Sequence, residues 1–233
     1  MQFFIDFFLE PYRNSTFGYI LLELIAAFFG VISVIYAKKE HILVYPTGII
    51  STGIYIYLLA IWNLYGDMII NIYYTLMSIY GWYRWSGFQN DQSSSLKIST
   101  TGFRDKLSTI GIFLFTSLFV IWVYLQYEVI EVMSLSETFR YISDQLNQGQ
   151  LENLRNITPY MDTFTTGVFF AAMWLMANKK LENWGFWIAG NIVSIPLYFV
   201  KGYGFTGIQY IIFLVLAIQG YQIWRKKMKV AAQ

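Results

Sequence analysis

The chain is poor in the residues on which most catalytic chemistry depends. It has no cysteine and one histidine, and charged residues make up only 13% of its 233 positions. The lack of cysteine excludes disulfide bonds and thiol chemistry. No phosphate-binding loop, Ser/His/Asp set or metal-ligand cluster is recognisable, so we expect a non-enzyme with no cofactor, no metal and no nucleic-acid partner. The single histidine, His41, lies in a short polar stretch and is interpreted as a solvated residue.

Apolar residues are abundant instead, at 56% of the chain. A typical soluble domain carries roughly 25% charged residues, and the uncharged runs here reach the roughly 20 residues that a helix needs to cross a bilayer. The sequence therefore predicts an all-α integral membrane protein with seven transmembrane helices in a 3+1+3 arrangement. The predicted spans are 17–37, 42–62, 65–86, 109–127, 160–178, 183–200 and 203–224. The predicted parts are an interfacial segment 1–16, a first three-helix repeat 17–86, a linker transmembrane helix 109–127, an extracellular or periplasmic loop 128–158, a second three-helix repeat 159–225 and a cytoplasmic tail 226–233.

The two groups of three spans resemble each other in sequence. Phe28-Phe29, Lys38-Lys39 and Ile54-Tyr55-Ile56-Tyr57 match Phe169-Phe170, Lys179-Lys180 and Ile195-Pro196-Leu197-Tyr198 at an offset of 141. Internal repeats are common in transporter folds, where the substrate binds between the repeats. Because three spans reverse the chain direction and one more restores it, the two groups are predicted to be parallel repeats related by a pseudo-two-fold axis along the membrane normal.

Basic residues are distributed unevenly over the predicted loops. Twelve of the sixteen Lys and Arg residues fall on the side that holds the C-terminus. Cytoplasmic loops are enriched in Lys and Arg. The expected orientation therefore places the N-terminus outside and the C-terminus in the cytoplasm.

Polar residues at helical spacing mark candidate faces at membrane depth. Buried polar groups in lipid are costly, so they point to partners or to a pathway. For any single residue, a hydrogen bond between neighbouring helices is an equal alternative, but several converging faces favour a polar pathway. One face carries Asn71, Thr75, Ser78 and Trp82, and a second carries Trp187, Asn191, Ser194 and Tyr198. Gln209 lies opposite Asn71 when a short gap aligns Tyr65-Gly66 with Tyr203-Gly204.

These residue types suit a flat ring that is neutral or cationic. Aromatic faces attract cations, and carboxamides both donate and accept hydrogen bonds. No basic residue lies at mid-depth to bind a phosphate. Glu23 has no acidic counterpart in the second repeat, so the sequence favours uncoupled facilitated diffusion over ion-coupled transport.

Three segments resemble the PnuC family of nicotinamide riboside transporters. They are Met77-Ser-Ile-Tyr-Gly-Trp-Tyr-Arg-Trp85, the pair Trp187 and Asn191, and Gly220-Tyr-Gln-Ile-Trp224-Arg-Lys-Lys227. The resemblance implies a plan similar to SWEET-type sugar transporters and a place in the bacterial inner membrane. It also implies a homo-oligomer, a trimer among the options, and a cytoplasmic nicotinamide riboside kinase that traps the substrate and feeds NAD synthesis.

The candidate substrate-binding residues combine this motif with the polar faces. Only Trp187 and Asn191 belong to the family motif, whereas the others follow from depth and face. Thiamine, then riboflavin, is the alternative substrate, and a membrane scaffold or receptor that binds through loop 128–158 is a third reading. The candidates are Trp187, Asn191, Gln209, Asn71, Tyr198, Ser194 and Thr75.

Overall fold

Seven helices make up nearly all of the part of the chain that the structure describes. The computed structural model describes residues 16–62, 65–86, 96–126, 157–201 and 203–230, with positions 140, 143 and 144. The predicted interfacial segment 1–16 and loop 128–158 lie almost entirely outside these ranges. The helices are α1 Phe17–Lys39, α2 Val44–Ile61, α3 Tyr65–Ser86, α4 Phe103–Gln126, α5 Thr158–Ala177, α6 Asn183–Val200 and α7 Gly204–Val230.

The observed helices follow the predicted spans, with two extensions. Helix α4 begins at Phe103 rather than 109, and α7 continues to Val230, so that part of the predicted tail is helical. Four helices, α1, α2, α4 and α7, are long and apolar enough to cross a membrane by length and composition. The other three carry more polar and aromatic residues, and α5 is buried along most of its length.

The helices pack as two groups, α1–α3 (the first triplet) and α5–α7 (the second triplet). Within each triplet the middle helix packs on both neighbours. The triplets meet where α1 packs on α7 and where α3 packs on α5, and α4 packs against α5. Neighbouring helices in contact within a triplet alternate in direction, so the C-terminal ends of α1, α3, α5 and α7 lie at one end of the bundle. We call this end, which carries Lys38, Lys179 and Lys227, the basic end.

Close helix contacts involve two pairs of small residues, Ala26 and Gly30 of α1 and Gly167 and Ala171 of α5. Ala26 is fully buried, and the Ser51 hydroxyl of α2 donates a hydrogen bond of 2.8 Å to its carbonyl oxygen. A Cβ atom on Gly30 would lie 3.1 Å from the Ser51 oxygen. On Gly167 it would lie 2.6 Å from the hydroxyl oxygen of Ser117 on α4. The two small-residue pairs therefore pack against different helices.

The helix positions define a register between the triplets that differs from the one suggested by residue identities. Helices α2 and α6 begin 139 positions apart, and so do α3 and α7. Glu40 and Lys179, which both have positive φ, share this offset. Helices α1 and α5, by contrast, begin 141 positions apart, so the offset of 141 suggested by the identities matches the first helix pair and is two positions too large for α2 and α6. At the structural offset, the counterpart of Asn71 is Tyr210 rather than Gln209.

The two residues with positive φ bind each other at the basic end. Glu40 follows α1 with φ 60° and Lys179 follows α5 with φ 50°, a conformation that costs a non-glycine residue about 1–2 kcal/mol. The Lys179 Nζ lies 2.9 Å from Glu40 Oε1, and the Lys227 Nζ of α7 lies 3.0 Å from Glu40 Oε2. One carboxylate of the first triplet thus binds two ammonium groups of the second triplet.

These ion pairs predict acid-sensitive stability. Burial by itself raises the pKa of the Glu40 carboxyl, but hydrogen bonds and charge attraction from Lys179 and Lys227 outweigh it and hold the pKa below its ordinary 4.5. A carboxyl with a lowered pKa stabilises the fold above its unfolded-state pKa, and this contribution is lost as pH falls through the lowered value. We expect Glu40→Gln to reduce stability by about 1 kcal/mol at pH 7, and the difference from wild type should disappear as the pH falls through the lowered pKa of Glu40. Thermal unfolding of both proteins in detergent across this range measures it, and a pH-independent difference would contradict the assignment.

The segment before α4 is tied to the turn between α5 and α6. The Ser99 backbone N–H donates to the Lys179 carbonyl at 3.1 Å, and the Leu181 N–H donates to the Ser99 carbonyl at 2.9 Å. The Lys180 Nζ lies 2.9 Å from Asp105 Oδ2 at the start of α4. The linker before α4 therefore joins the second triplet at the basic end, and it leaves the α1–α2 turn without an equivalent support among the described residues.

Two tryptophans connect the triplets at the same end. The Trp85 indole N–H donates to the Ala177 carbonyl oxygen at 3.2 Å, and the Trp224 indole N–H donates to the Ala37 carbonyl oxygen at 3.1 Å. Each bond joins the last helix of one triplet to the first helix of the other. The Trp85 and Trp224 rings lie 6.1 Å apart. These aromatic side chains close the core between the two triplets at the basic end.

Candidate functional site

A cavity lies between the two triplets and is lined by all six of their helices. Its volume is about 190 Å³. The linker helix α4 contributes no lining residue. The lining comprises Gly30, Ser33, Val34 and Ala37 of α1, Val44, Gly48, Ser51 and Thr52 of α2, Tyr74 and Ser78 of α3, Phe169, Met173 and Met176 of α5, Trp184, Trp187 and Asn191 of α6, and Tyr210, Phe213 and Ala217 of α7.

The second triplet supplies an aromatic wall. The rings of Trp187 and Phe169 are stacked with centroids 5.3 Å apart, and Phe169 and Tyr210 are stacked at 6.1 Å. Tyr198 continues the row by stacking on Tyr210 at 4.9 Å. A Cβ atom on Gly190 would overlap the Phe169 ring, so the absence of a side chain there lets the ring take its place. The wall presents flat faces on which a planar ring can stack.

The first triplet supplies a wall rich in hydroxyl groups. The Ser33 hydroxyl donates to the Val44 carbonyl oxygen at 2.7 Å. The Thr52 and Thr75 hydroxyl oxygens lie 2.7 Å apart, which ties α2 to α3. Ser78 is 3% exposed and lines the cavity, and its hydroxyl has no hydrogen bond within the described part of the chain. The two walls thus offer a ligand different chemistry.

Asn191 is the polar residue best placed to bind a ligand. It is 2% exposed and lines the cavity beside the aromatic wall. Across the described residues its carboxamide forms no hydrogen bond to the protein. A buried amide without a partner costs free energy, and a carboxamide has both donors and acceptors to offer. The arrangement fits a site that is completed by the hydrogen-bonding groups of a ligand.

The other five predicted site residues do not line the cavity. Tyr198 and Thr75 each contact a lining residue without lining the cavity themselves. The Gln209 Nε2 atom approaches α1, where a Cβ atom on Gly30 would lie 3.9 Å from it. Asn71 donates to the carbonyl oxygen of Asp67 at 2.9 Å within its own helix. Ser194 is 1% exposed and lies outside the lining.

Several lining residues were not among the predicted ones. Tyr210 and Tyr74 lie on helices whose aromatic residues are too numerous for any one to stand out in sequence. Ser33, Gly48 and Thr52 belong to α1 and α2, which read as apolar spans. A signal for Ser33 did exist, because it lies three positions after Gly30 and so on the same helical face.

Charge is kept away from the cavity. No Lys, Arg, His, Asp or Glu of the described residues lines it. Toward the opposite end of the bundle, an ion pair of 2.5 Å joins Lys201, directly after α6, and Asp162 of α5. Among the described residues no group of three His, Cys, Asp or Glu side chains is placed to hold a metal ion. The described lining therefore offers a ligand aromatic faces and hydrogen-bonding groups but no charged side chain.

Comparisons with known proteins agree on one kind of protein. The family model described as "Nicotinamide mononucleotide transporter" matches residues 20–226. The nicotinamide riboside transporter PnuC of Escherichia coli (strain K12) is 24% identical over 207 residues, which are 87% of this chain and 84% of that protein. The PnuC of Neisseria mucosa is 26% identical over 215 residues, 89% of this chain and 73% of that protein. The riboflavin/roseoflavin transporter RibM of Streptomyces davaonensis is 32% identical over 66 residues, 28% of this chain and 31% of that protein.

A solved structure supports the fold. The crystal structure of the vitamin B3 transporter PnuC matches with a TM-score of 0.60 at 22% identity, covering 95% of this chain and 85% of that chain. The names of these relatives are those of transporters, in agreement with the expectation that the chain is not an enzyme. The seven helices and the cavity between the triplets are thus those of a multi-pass membrane transporter.

Proposed function

The chain belongs to the PnuC family of nicotinamide mononucleotide transporters, and on this premise we propose that it imports nicotinamide riboside by facilitated diffusion. The observation that carries the substrate assignment is the buried Asn191 carboxamide, which has no hydrogen-bond partner among the described residues and lies beside the stacked Trp187 and Phe169 rings. A nicotinamide ring carries a positive charge in the riboside and has a carboxamide of its own. Stacking and paired amide hydrogen bonds therefore match its two features.

The lining favours the riboside over the mononucleotide. A phosphate group carries up to two negative charges and binds through Arg, Lys or a helix N-terminus. The described lining has no basic side chain, so a phosphate in the cavity would lose its hydration without a compensating charge. The riboside, which lacks the phosphate, avoids this cost.

We propose that the two triplets are parallel repeats in a 3+1+3, SWEET-like arrangement that alternately opens the cavity to each side. If one triplet is superposed on the other, the α1–α7 contact corresponds to the α5–α3 contact. The Trp224–Ala37 hydrogen bond corresponds to the Trp85–Ala177 hydrogen bond in the same way. In transporters built of repeats, the substrate binds at the repeat interface. The cavity has that position.

The proposed setting is the bacterial inner membrane with the C-terminus in the cytoplasm. Its support is the unequal distribution of Lys and Arg, which puts the basic end inside. Uptake of this cation without ion coupling stops at electrochemical equilibrium, so a cytoplasmic kinase that phosphorylates the riboside would trap it and feed NAD synthesis. A homo-oligomer, such as a trimer, is proposed from the family resemblance.

Proteoliposome uptake tests substrate and mechanism together. With identical buffer on both sides, labelled nicotinamide riboside should enter until its inside and outside concentrations are equal. Excess unlabelled riboside should abolish the labelled signal, whereas thiamine and riboflavin should leave it unchanged. Protein-free liposomes provide the control.

Three results would each contradict a part of the proposal. Uptake that requires a proton or sodium gradient would exclude facilitated diffusion. Competition by riboflavin or thiamine instead of the riboside would replace the substrate, and the partial similarity to a riboflavin transporter makes riboflavin the first competitor to try. Absence of any uptake would favour a scaffold or receptor.

A further inference from the structure

We propose that the hydroxyl groups of Ser78 and Ser33, which both lie next to Gly48, form a subsite that binds the sugar hydroxyls of the substrate. Through this subsite the first triplet selects for a sugar. This inference rests on the proposed function and adds to it a second point of recognition, separate from Asn191 and the aromatic wall. It makes Gly48 a specificity-determining residue, because any side chain there would occupy the space.

The subsite is open because Gly48 has no side chain. A Cβ atom at Gly48 would lie 3.1 Å from the Ser33 hydroxyl oxygen and 3.5 Å from that of Ser78. Both oxygens therefore lie over the same glycine, one contributed by α1 and one by α3. All three residues line the cavity. Hydroxyl groups from two helices thus converge on a gap that α2 leaves between them.

The two hydroxyl groups offer complementary hydrogen bonds. The Ser33 proton is used in the bond to the Val44 carbonyl oxygen, so its oxygen is left to accept. Ser78 is 3% exposed and has no partner among the described residues, so its hydroxyl is free both to donate and to accept. Each hydroxyl of a sugar diol likewise donates and accepts, and leaving the Ser78 hydroxyl unpaired is unfavourable.

Two glycines of the first triplet, Gly48 and Gly30, have aromatic counterparts in the second triplet at an offset of 139. Phe169 stands 139 positions after Gly30, and Trp187 stands 139 positions after Gly48. All four residues line the cavity. Where one triplet fills the cavity with a stacking surface, the other leaves space next to hydroxyl groups. A substrate with a flat ring at one end and a sugar at the other fits this difference in a single orientation.

Tryptophan-fluorescence titrations of the purified protein test the subsite with two probes. Nicotinamide riboside carries the ring and the sugar, whereas 1-methylnicotinamide carries the same cationic ring without the sugar. The wild-type protein should bind the riboside at least about tenfold more tightly. Gly48→Ala and Ser78→Ala should each weaken riboside binding by about tenfold, a loss of about 1.4 kcal/mol, and change 1-methylnicotinamide binding by less than twofold. Gly53→Ala is the matched control, since a Cβ atom there meets nothing within 4 Å.

The outcomes separate this inference from the proposed function. If the wild-type protein does not bind the riboside, the proposed function fails first. If it binds the riboside and the variants weaken both probes equally, or neither, the sugar subsite is wrong while the proposed function stands. Ser78→Ala decides the question if Gly48→Ala does not fold, because it only removes an oxygen atom.

Discussion

Replacing Asn191 with leucine is expected to abolish most riboside binding without destabilising the protein. The carboxamide is buried and has no protein partner among the described residues, so the folded protein loses no hydrogen bond when it is removed. A buried polar group without a partner is itself unfavourable, and leucine has the same branching at Cγ, with the adjacent cavity to take its larger methyl groups. We therefore expect unchanged or raised thermal stability. Riboside affinity should fall by at least about tenfold, because the ligand then loses its amide partner.

The two measurements together distinguish binding from packing. Thermal unfolding in detergent reports stability, and riboside titration followed by tryptophan fluorescence reports affinity. Ile192→Ala is the control, since this neighbouring side chain is 54% exposed and points away from the cavity. A large loss of stability in Asn191→Leu would show that the carboxamide only links helices. Unchanged affinity would remove Asn191 from the site.

Replacing Gly190 with alanine should impair both folding and binding. The added methyl group would overlap the Phe169 ring, which stacks between Trp187 and Tyr210. The ring must move, and the direction left open to it is the cavity. Overpacking of this kind costs about 1–3 kcal/mol. We expect a lower unfolding temperature and a loss of riboside affinity of about tenfold.

Gly185→Ala tests whether the effect belongs to the site or to helix α6. A Cβ atom at Gly185 meets nothing within 4 Å, and alanine in a helix is favoured over glycine by about 0.5–1 kcal/mol. This variant should bind like the wild type and unfold at the same or a higher temperature. Equal losses in both variants would mean that α6 simply tolerates no change, and a harmless Gly190→Ala would show that Phe169 has room to move.

Asn71 and Asn191 show how much of a binding site can be predicted from the helical spacing of polar residues. Both lie on predicted faces with hydroxyl and aromatic residues at helical spacing. In the structure Asn191 lines the cavity, whereas Asn71 donates to a carbonyl of its own helix one turn earlier. Spacing identifies a face, but the hydrogen-bond choice of a side chain depends on which atoms of other helices come within reach. Of the seven candidate binding residues, the two that belong to the family motif, Trp187 and Asn191, line the cavity, and Ser78 of the other predicted face lines it as well.

The register between the triplets shows a second limit. Sparse identities suggested an offset of 141, which fits the starts of α1 and α5, while the starts of the second and third helix pairs and the residues Glu40 and Lys179 lie 139 positions apart. The correction pairs Gly48 with Trp187 and Thr52 with Asn191, and so locates the difference between the two walls. Apolar residue types are too alike to fix an alignment to two positions, whereas helix ends are set by turns and by charged side chains.

The sequence by itself determined the membrane class, the seven helical segments and the family, because these follow from composition, from the length of uncharged runs and from a local motif. Only the tertiary structure decided which side chains meet in the cavity and which residues connect the two triplets. The contacts between α1 and α7, and the binding of Glu40 by Lys179 and Lys227, join positions more than a hundred residues apart. The helical period predicts which residues share a face, whereas only the packing of the helices determines which residues that face contacts.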